Sequence, residues 1–472
     1  MARGAAVKGR GKAQGLLPFV YEVSATPMDL TARAGLPLVA EVLLALGTDR
    51  VVDEGLRLGT RRRGFSEFEK LRALVLVLAA GGDCVEDVRI LARDEGLQRL
   101  VGGRLPSPDA LHDFLGAFHD EECLSDRRGS GAAWIPKESA TLESLHQVGR
   151  AAVHRAVASR APRRATLDLD ATIIESHKRD ALPHYKGGRG YQPTAVVWAE
   201  EDLVVADQYR DGNVPAGMKT QEVAKRAFDA LPSHVSERYF RGDSACYDEK
   251  LLKYLWKQRI AFTISADMGR ELRDVCRSVS EWTRFEDRGD EIVEVADVEF
   301  APGNWPKSAP ALRYVGLRFT GRQGRLFDGN ETKYLAVVSN RWELPATDLV
   351  RWHWGKAGTI EFVHDVTKNE LGARVPPSGR FGANAAWYRL ALLTYNVLTV
   401  LRRVALPERF AEARPERLRY ELFTVPAEIH SHARQLRARL GVPALTTEEL
   451  IEARRRLLAF STQPAELPIP PR

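Results

Sequence analysis

The sequence predicts an α/β protein in which a mixed sheet follows an all-helical N-terminal region, is interrupted by a β-rich insertion, and is followed by C-terminal helices. Three observations lead to this prediction. Apolar residues recur at helical spacing from residue 30 to about residue 119. Short β-rich runs then alternate with helical segments from residue 164 onward. A second β-rich region covers residues 270–345 and precedes two further helices.

Composition narrows the class of protein. Of 472 residues, 44% are apolar and 28% are charged, as is usual for a water-soluble globular chain. The formal net charge of +6 favours a polyanionic partner such as nucleic acid. The four cysteines form no Cys-x-x-Cys pair, which argues against a zinc site and suits the reducing cytoplasm. Residues 385–400 are apolar but contain Arg389 and Asn396, which predicts a buried helix and no contact with membranes.

The N-terminal third divides into a basic arm over residues 1–15, a helical region over residues 16–125, and a linker and helix over residues 126–163. Predicted helices at 85–93 and 108–118 have the pattern of a helix-turn-helix, which predicts DNA binding, although any small helical bundle gives the same pattern. Ser107 and Pro108 mark a helix start. The basic run at Arg61, Arg62 and Arg63 is a candidate DNA contact.

One predicted strand, residues 165–174, carries two carboxylates on an otherwise apolar segment. Because side chains alternate along a strand, Asp168 and Asp170 share one face, roughly 7 Å apart. A buried carboxylate is costly unless it is paired or binds a metal. Either the strand holds a divalent cation or it is an edge strand with two solvated aspartates. Asp168 is open to both a supporting and a solvated role.

The elements after this strand run strand, strand, helix, strand, helix, strand, up to residue 265. Three antiparallel strands followed by two helix-linked strands is the ribonuclease H-like order. We therefore expect a ribonuclease H-like mixed sheet formed by residues 164–269 and 346–405, with the insertion at 270–345 between them. Residues 406–472 are predicted as C-terminal helices and a tail, with Arg-rich helices at 414–422, 430–440 and 447–458.

In such a sheet the first and fourth strands are neighbours, so Asp170 and Asp243 are expected to meet. A third carboxylate is expected on the helix at 359–371, where Glu361 is preferred and Asp365 and Glu370 are the alternatives. Three converging carboxylates suit two Mg²⁺ ions, which prefer hard oxygen ligands. Two such ions can activate an attacking oxygen and stabilise the leaving oxygen of a phosphodiester.

At these residues the chain resembles the DDE transposases of bacterial insertion sequences, specifically the thirteen-eighty group within the class with a Tyr-Arg-Glu-Lys signature. The resemblance covers roughly residues 30–440. It rests on an ordered set of short motifs: Leu-Asp-Leu-Asp-Ala-Thr at 167–172, Gly-Tyr-Gln-Pro at 190–193, Arg-Asp-Gly-Asn at 210–213, Arg-Gly-Asp-Ser at 241–244, the spacing from Glu361 to Lys368, Ala-Asn at 383–384 and Tyr-Asn at 395–396.

The resemblance implies specific roles for some of these residues. Asp170, Asp243 and Glu361 would bind two Mg²⁺ or Mn²⁺ ions, and Lys368 would contact phosphate. Arg241 and Lys356 are further candidate DNA contacts. Two signature positions differ, because Trp354 stands where tyrosine is expected and Ala357 where arginine is expected. Arg210 is also followed by Asp211 where proline is expected.

The implied function is cut-and-paste movement of an insertion sequence. The enzyme would hydrolyse the element ends and transfer the freed 3′-hydroxyl into target DNA. Its partners would be double-stranded terminal inverted repeats and target DNA, bound by a homodimer on paired ends in the nucleoid. The alternatives are a catalytically inactive DNA-binding descendant, and a ribonuclease H-like nuclease that joins nothing.

Overall fold

The structure is a computed structural model, and its described residues are 29–58, 64–125, 127, 132–289, 291–303, 305, 309–321, 332–433 and 435–464. The helices are α1 Pro37–Ala45, α2 Thr48–Gly55, α3 Glu67–Ala79, α4 Val88–Ala92, α5 Glu95–Leu100, α6 Pro108–Gly116, α7 Ala140–Val157, α8 Thr220–Ala230, α9 Glu249–Lys257, α10 Arg270–Ser278, α11 Ala346–Trp354, α12 Ile360–Asn369, α13 Phe381–Val400, α14 Pro415–Leu418 and α15 Ala444–Ser461.

The strands are β1 Leu30–Thr31, β2 Arg164–Ala171, β3 Ile174–Glu175, β4 Leu182–Pro183, β5 Arg189–Tyr191, β6 Thr194–Trp198, β7 Leu203–Gln208, β8 Glu237–Gly242, β9 Ala261–Ser265, β10 Thr283–Asp287, β11 Glu291–Val298, β12 Arg313–Gly321, β13 Lys333–Ser339, β14 Ala427–His432 and β15 Gln435–Leu440.

A nine-stranded mixed sheet forms the centre of the molecule, with the order β10-β11-β12-β13-β9-β8-β2-β6-β7. In its central part β2 runs parallel to β8, and β8 runs parallel to β9. On the other side, β2 is antiparallel to β6, which is antiparallel to β7. The helices α8 and α9 connect β7 to β8 and β8 to β9, which are the positions that the sequence predicted for them. The fold is therefore mixed α/β with a large mixed sheet.

The helix α13 is the core of the helical side. All its residues from Phe381 to Val400 are buried, as its apolar residues on every face predict. It packs against α3, α6, α7 and β7, so the N-terminal helices and the sheet share one apolar core. None of the helices in the described part of the chain is long and apolar enough to cross a bilayer.

The β-rich region after α10 continues the sheet. Its four strands, β10 to β13, form an antiparallel series. The last of them, β13, pairs with β9 in antiparallel register, Val338 opposite Ile264. A small separate core lies beneath these strands, where Val293, Val315 and others pack against Leu349 of α11.

Two predictions about helices are wrong. The predicted helix at 430–440 is a hairpin of β14 and β15, with β1 added at the edge of β14. In β15 the apolar residues alternate, with Leu436, Ala438 and Leu440 on one face, and pairing with β14 prevails over helix propensity. The predicted tight turn between residues 93 and 108 contains α5, so α4 and α6 are not the paired helices of a simple helix-turn-helix. Ser107 does cap α6, because its Oγ accepts from Ala110 N–H.

Candidate active site

The parallel pair β2 and β8 places two acidic residues side by side. In its register Leu169 lies opposite Gly242, so Asp170 and Asp243 follow at the same level of the sheet. Asp243 leaves the strand at once, and its Oδ1 accepts from Ala245 N–H at 3.1 Å. Gly242 allows this turn to pack, because a Cβ there would lie 2.6 Å from Cys246 Sγ. Both aspartates are half-buried.

The helix α12 brings the third carboxylate. It packs on β2 and β6 through Ile360, Val363 and other buried residues, while Glu361 in its first turn is exposed. Burial raises the pKa of Asp170 to about 6, and the negative charges of Asp243 and Glu361 act in the same direction. The positive charge of Lys356 opposes them. Asp170 therefore lies near enough to each of the other two predicted acids to interact with it electrostatically.

The three carboxylates do not close around a single point. Within the described part of the chain, the ligand atoms of one group only, Asp83, Cys84 and Asp87, lie within 4.8 Å of one another. That group is explained by helix capping, because Asp87 Oδ2 accepts from Asp83 N–H at 3.0 Å. A thiol is also a poor ligand for Mg²⁺. At least one pair of the ligand atoms of Asp170, Asp243 and Glu361 is therefore more than 4.8 Å apart.

A model of the protein family described as "Transposase DDE domain group 1" matches residues 21–462, which is most of the chain. The chain belongs to this DDE transposase family.

One similar structure is the piggyBac transposase synaptic complex with hairpin DNA, with 11% identity, a TM-score of 0.44, and coverage of 77% of this chain and 73% of that chain. No curated protein sequence matches.

Two lysines of the transposase stand on either side of Glu361 along the chain. Lys356 lies in the turn between α11 and α12. Burial raises the pKa of Asp168, and the charge of Lys356 opposes part of that rise. Lys368 follows Glu361 on the same face of α12, two helical turns later. Its Nζ donates to Thr172 Oγ1 at 3.2 Å. Burial lowers the pKa of Lys368, and the nearby charge of Lys186 lowers it further.

The alternative acids on α12 have protein partners. Arg414 Nη2 lies 2.6 Å from Asp365 Oδ2, and Arg414 Nε lies 2.5 Å from Glu370 Oε1. Glu370 also accepts from Glu416 N–H. These ion pairs occupy both carboxylates and leave Glu361 as the acid of α12 that acts on Asp170.

Arg241 lies in the interior rather than on an exposed DNA-facing surface. Its Nε and Nη2 donate to the two oxygens of Asp168, each at 2.6 Å, and Nη1 donates to Trp352 O at 2.7 Å. Asp168 is 0% exposed and Arg241 is 5% exposed. The sequence analysis missed this pair, although it contains a signal: each residue stands two positions before a predicted metal ligand. The other expected DNA contacts, Arg61, Arg62 and Arg63, lie outside the described residues.

The unusual signature residues have their own surroundings. Trp354 does not face the carboxylates; its ring packs 5.1 Å from that of Phe285, and the Arg288 guanidinium lies 4.3 Å from its centroid. Ala357 is exposed. Asp211, at the position where proline was expected, is buried and accepts two hydrogen bonds from Arg127, at 2.9 and 2.7 Å. The ion pair explains how this aspartate is accommodated.

Proposed function

We propose that this transposase catalyses cut-and-paste movement of a bacterial insertion sequence of the thirteen-eighty group, with Asp170, Asp243 and Glu361 holding two Mg²⁺ or Mn²⁺ ions. The observation that carries the proposal is that Asp170 and Asp243 lie side by side on adjacent parallel strands, and that Asp170 interacts electrostatically with Asp243 and with Glu361 at the start of α12. Family membership supports it, because DDE transposases normally use divalent metals.

The sheet supports a ribonuclease H-like catalytic domain. Its central strands in the order β7-β6-β2-β8-β9, with β7 and β6 antiparallel and β8 and β9 parallel to β2, follow the order expected for that fold. We propose residues 164–269 and 346–405 as this domain. The helical region at 16–125 and the insertion at 270–345 are proposed to hold the terminal inverted repeats.

The donor set fits divalent cations. Asp170 interacts with two further carboxylates, Asp243 and Glu361, and with Lys356 as a neighbouring cation, so negative charge predominates at the site. Bound cations would supply activation of the attacking oxygen and stabilisation of the leaving oxygen. The chain itself would position them through Asp170, Asp243 and Glu361, and would orient the phosphate with Lys356 and Lys368. Cys246 beneath the site takes no part, because burial raises the pKa of its thiol and keeps it neutral.

DNA is the proposed partner. The net charge of +6 and the lysines at the site suit a phosphate backbone, and most contacts to the inverted repeats would be to phosphate. Since two ends must be brought together, we propose a homodimer assembled on paired ends and associated with the nucleoid.

The test uses purified full-length protein, duplexes carrying the DNA on each side of its gene, Mg²⁺ and a supercoiled plasmid. Joined duplex–plasmid product that disappears in Asp170→Asn and with EDTA is the expected result. Cleavage without joining would identify a nuclease instead. Trp354 and Ala357 at the signature positions favour a second candidate, an inactive DNA-binding descendant, for which retarded DNA without cleavage is expected.

A further inference from the structure

One buried carboxylate links the sheet to the start of the helix that carries Glu361. Asp168 on β2 accepts both hydrogen bonds of the Arg241 fork, and its Oδ2 also accepts from the hydroxyl of Thr359. Thr359 is the N-cap residue of α12, two positions before Glu361. Asp168 therefore contacts both the strand that leads into Asp243 and the start of the helix that carries Glu361.

The hydroxyl of Thr359 is used in an unusual way. A threonine at the N-cap normally accepts from an N–H group in the first helical turn. Here the side chain makes no capping hydrogen bond to α12. Its hydroxyl is within donating distance of Asp168 Oδ2 and, at 3.0 Å, of Lys356 O. The helix gives up a local stabilising contact for a long-range one, which fixes where its first turn lies relative to β2.

Arg241 holds the other end of the same segment. Its Nη1 donates to Trp352 O at 2.7 Å, and a Cβ at Gly355 would lie only 2.6 Å from that nitrogen. The chain from Trp352 to Thr359, which includes Lys356, thus lies directly against the pair formed by Asp168 and Arg241. Both the lysine and the glutamate of the site depend on where this pair places the turn.

We propose that Asp168, Arg241 and Thr359 are positioning residues that set the location of Glu361 relative to Asp170 and Asp243. The inference rests on the proposed function, because it assumes that these three acids bind metal. None of the three positioning residues is a ligand. Their effect on metal affinity passes through Glu361.

The test measures Mn²⁺ affinity of the full-length protein by electron paramagnetic resonance, without DNA. Thr359→Val and Thr359→Ala remove the hydroxyl and are each expected to weaken Mn²⁺ binding about tenfold, the lower end of the range for groups that orient metal ligands. Thr359→Ser keeps the hydroxyl and should bind within about twofold of wild type. Thr367→Val is the matched control, because the Thr367 hydroxyl bonds only within α12, to Val363 O and His364 O.

A double-variant cycle separates positioning from general destabilisation. In a Glu361→Gln background, Thr359→Val should produce no further loss of Mn²⁺ affinity, because the carboxylate that Thr359 positions is already absent. A tenfold loss persisting in that background would overturn the inference, as would wild-type affinity in Thr359→Val or an equal loss in Thr359→Ser. Thermal midpoints of all variants verify that folded protein is compared.

Asp170→Asn distinguishes this inference from the function on which it rests. If Asp170→Asn loses Mn²⁺ binding while Thr359→Val retains it, the positioning role is wrong and the metal site stands. If Asp170→Asn binds Mn²⁺ as wild type does, the proposed metal site is wrong and the positioning role falls with it.

Discussion

Two aspartates on the same face of β2 have neighbours of opposite charge. Asp168 lies opposite Arg241 of β8, and the two are buried together in a bidentate ion pair. One repeat further along the strands, Asp170 has the acid Asp243 as its neighbour in place of an arginine. The first position is neutralised within the chain, while the second carries excess negative charge. The comparison teaches that neighbouring carboxylates on one face of a strand can have opposite electrostatic surroundings, so that Asp168 has a structural role and Asp170 is left for the proposed cation.

The largest expected effect is a loss of catalysis on replacing Asp170, which has no arginine opposite it. Asp170→Asn should lower Mg²⁺-dependent nicking of an end-containing duplex roughly a thousandfold, because metal activation is worth several kcal/mol in the transition state. Its thermal midpoint should stay unchanged or rise, since repulsion from Asp243 and Glu361 is relieved. A gel assay and calorimetry check the two effects. Retained nicking would show that the comparison assigns the wrong aspartate.

At the buried pair of Asp168 and Arg241, the largest expected effect is on stability. Arg241→Ala leaves Asp168 buried without its cation, which should cost about 3–5 kcal/mol of the free energy of unfolding in urea. Arg238→Ala is the matched control, because this arginine is exposed on the same strand and should change stability by no more than about 0.5 kcal/mol. Similar losses in both variants would contradict a special role for the buried pair.

A buried histidine, His353, links α11 to β9 and should make stability depend on pH. His353 Nδ1 and Nε2 lie 3.0 Å from Thr263 Oγ1 and 3.0 Å from Ser265 Oγ. Burial, followed by the charges of Lys356 and Arg241, lowers the pKa of His353 from 6.5 to about 3. Because the folded state resists protonation, this contribution is full above pH 6.5 and is lost as pH falls towards 3.

His353→Gln should therefore reduce the acid sensitivity of the protein. Between pH 7 and pH 5 the loss of unfolding free energy should be smaller than in wild type by roughly 2 kcal/mol. Urea unfolding at the two pH values measures it, with exposed His177→Gln as the control. An unchanged pH dependence would mean that protonation of His353 does not oppose folding.

The smallest expected effect is at Lys368. Lys368→Met removes a cation that donates to Thr172, and should slow nicking by roughly tenfold, equivalent to about 1.4 kcal/mol. Mn²⁺ affinity should not change, because Lys368 is not a proposed ligand. A kinetic series at saturating Mn²⁺ checks this. Weaker Mn²⁺ binding in the variant would place Lys368 in the metal site rather than beside the phosphate.

Much of the central sheet follows from local patterns. Alternation and turn residues predicted β2, β8 and β9 to within one or two residues, except that the predicted first strand extended past Ala171. The roles proposed for Asp170, Asp243 and Glu361 were also reached from spacing and from motif order. The alternation on β2 could not tell Asp168 from Asp170, because the difference lies on another strand, where Arg241 stands two positions before Asp243.

Contacts between distant segments account for the rest. Thr359 reaches Asp168 across 191 positions, and no periodicity encodes such a contact. The hairpin of β14 and β15 was predicted as a helix because its arginines and leucines are good helix formers. Pairing with β1, from the other end of the chain, supplies the hydrogen bonds that make the strand form preferable.

The pairing of β13 with β9 has a practical consequence for anyone trimming this protein. Ser339 Oγ donates to Phe262 O, and Asn340 Oδ1 accepts from Phe262 N–H. Together with the pairing of β13 and β9, these hydrogen bonds join the insertion to the sheet. Removing residues 270–345 would leave β9 as an exposed edge strand with unpaired N–H and C=O groups. Such an edge promotes association between molecules. A minimal catalytic fragment therefore has to keep β10 to β13, even though they contribute none of the three acids.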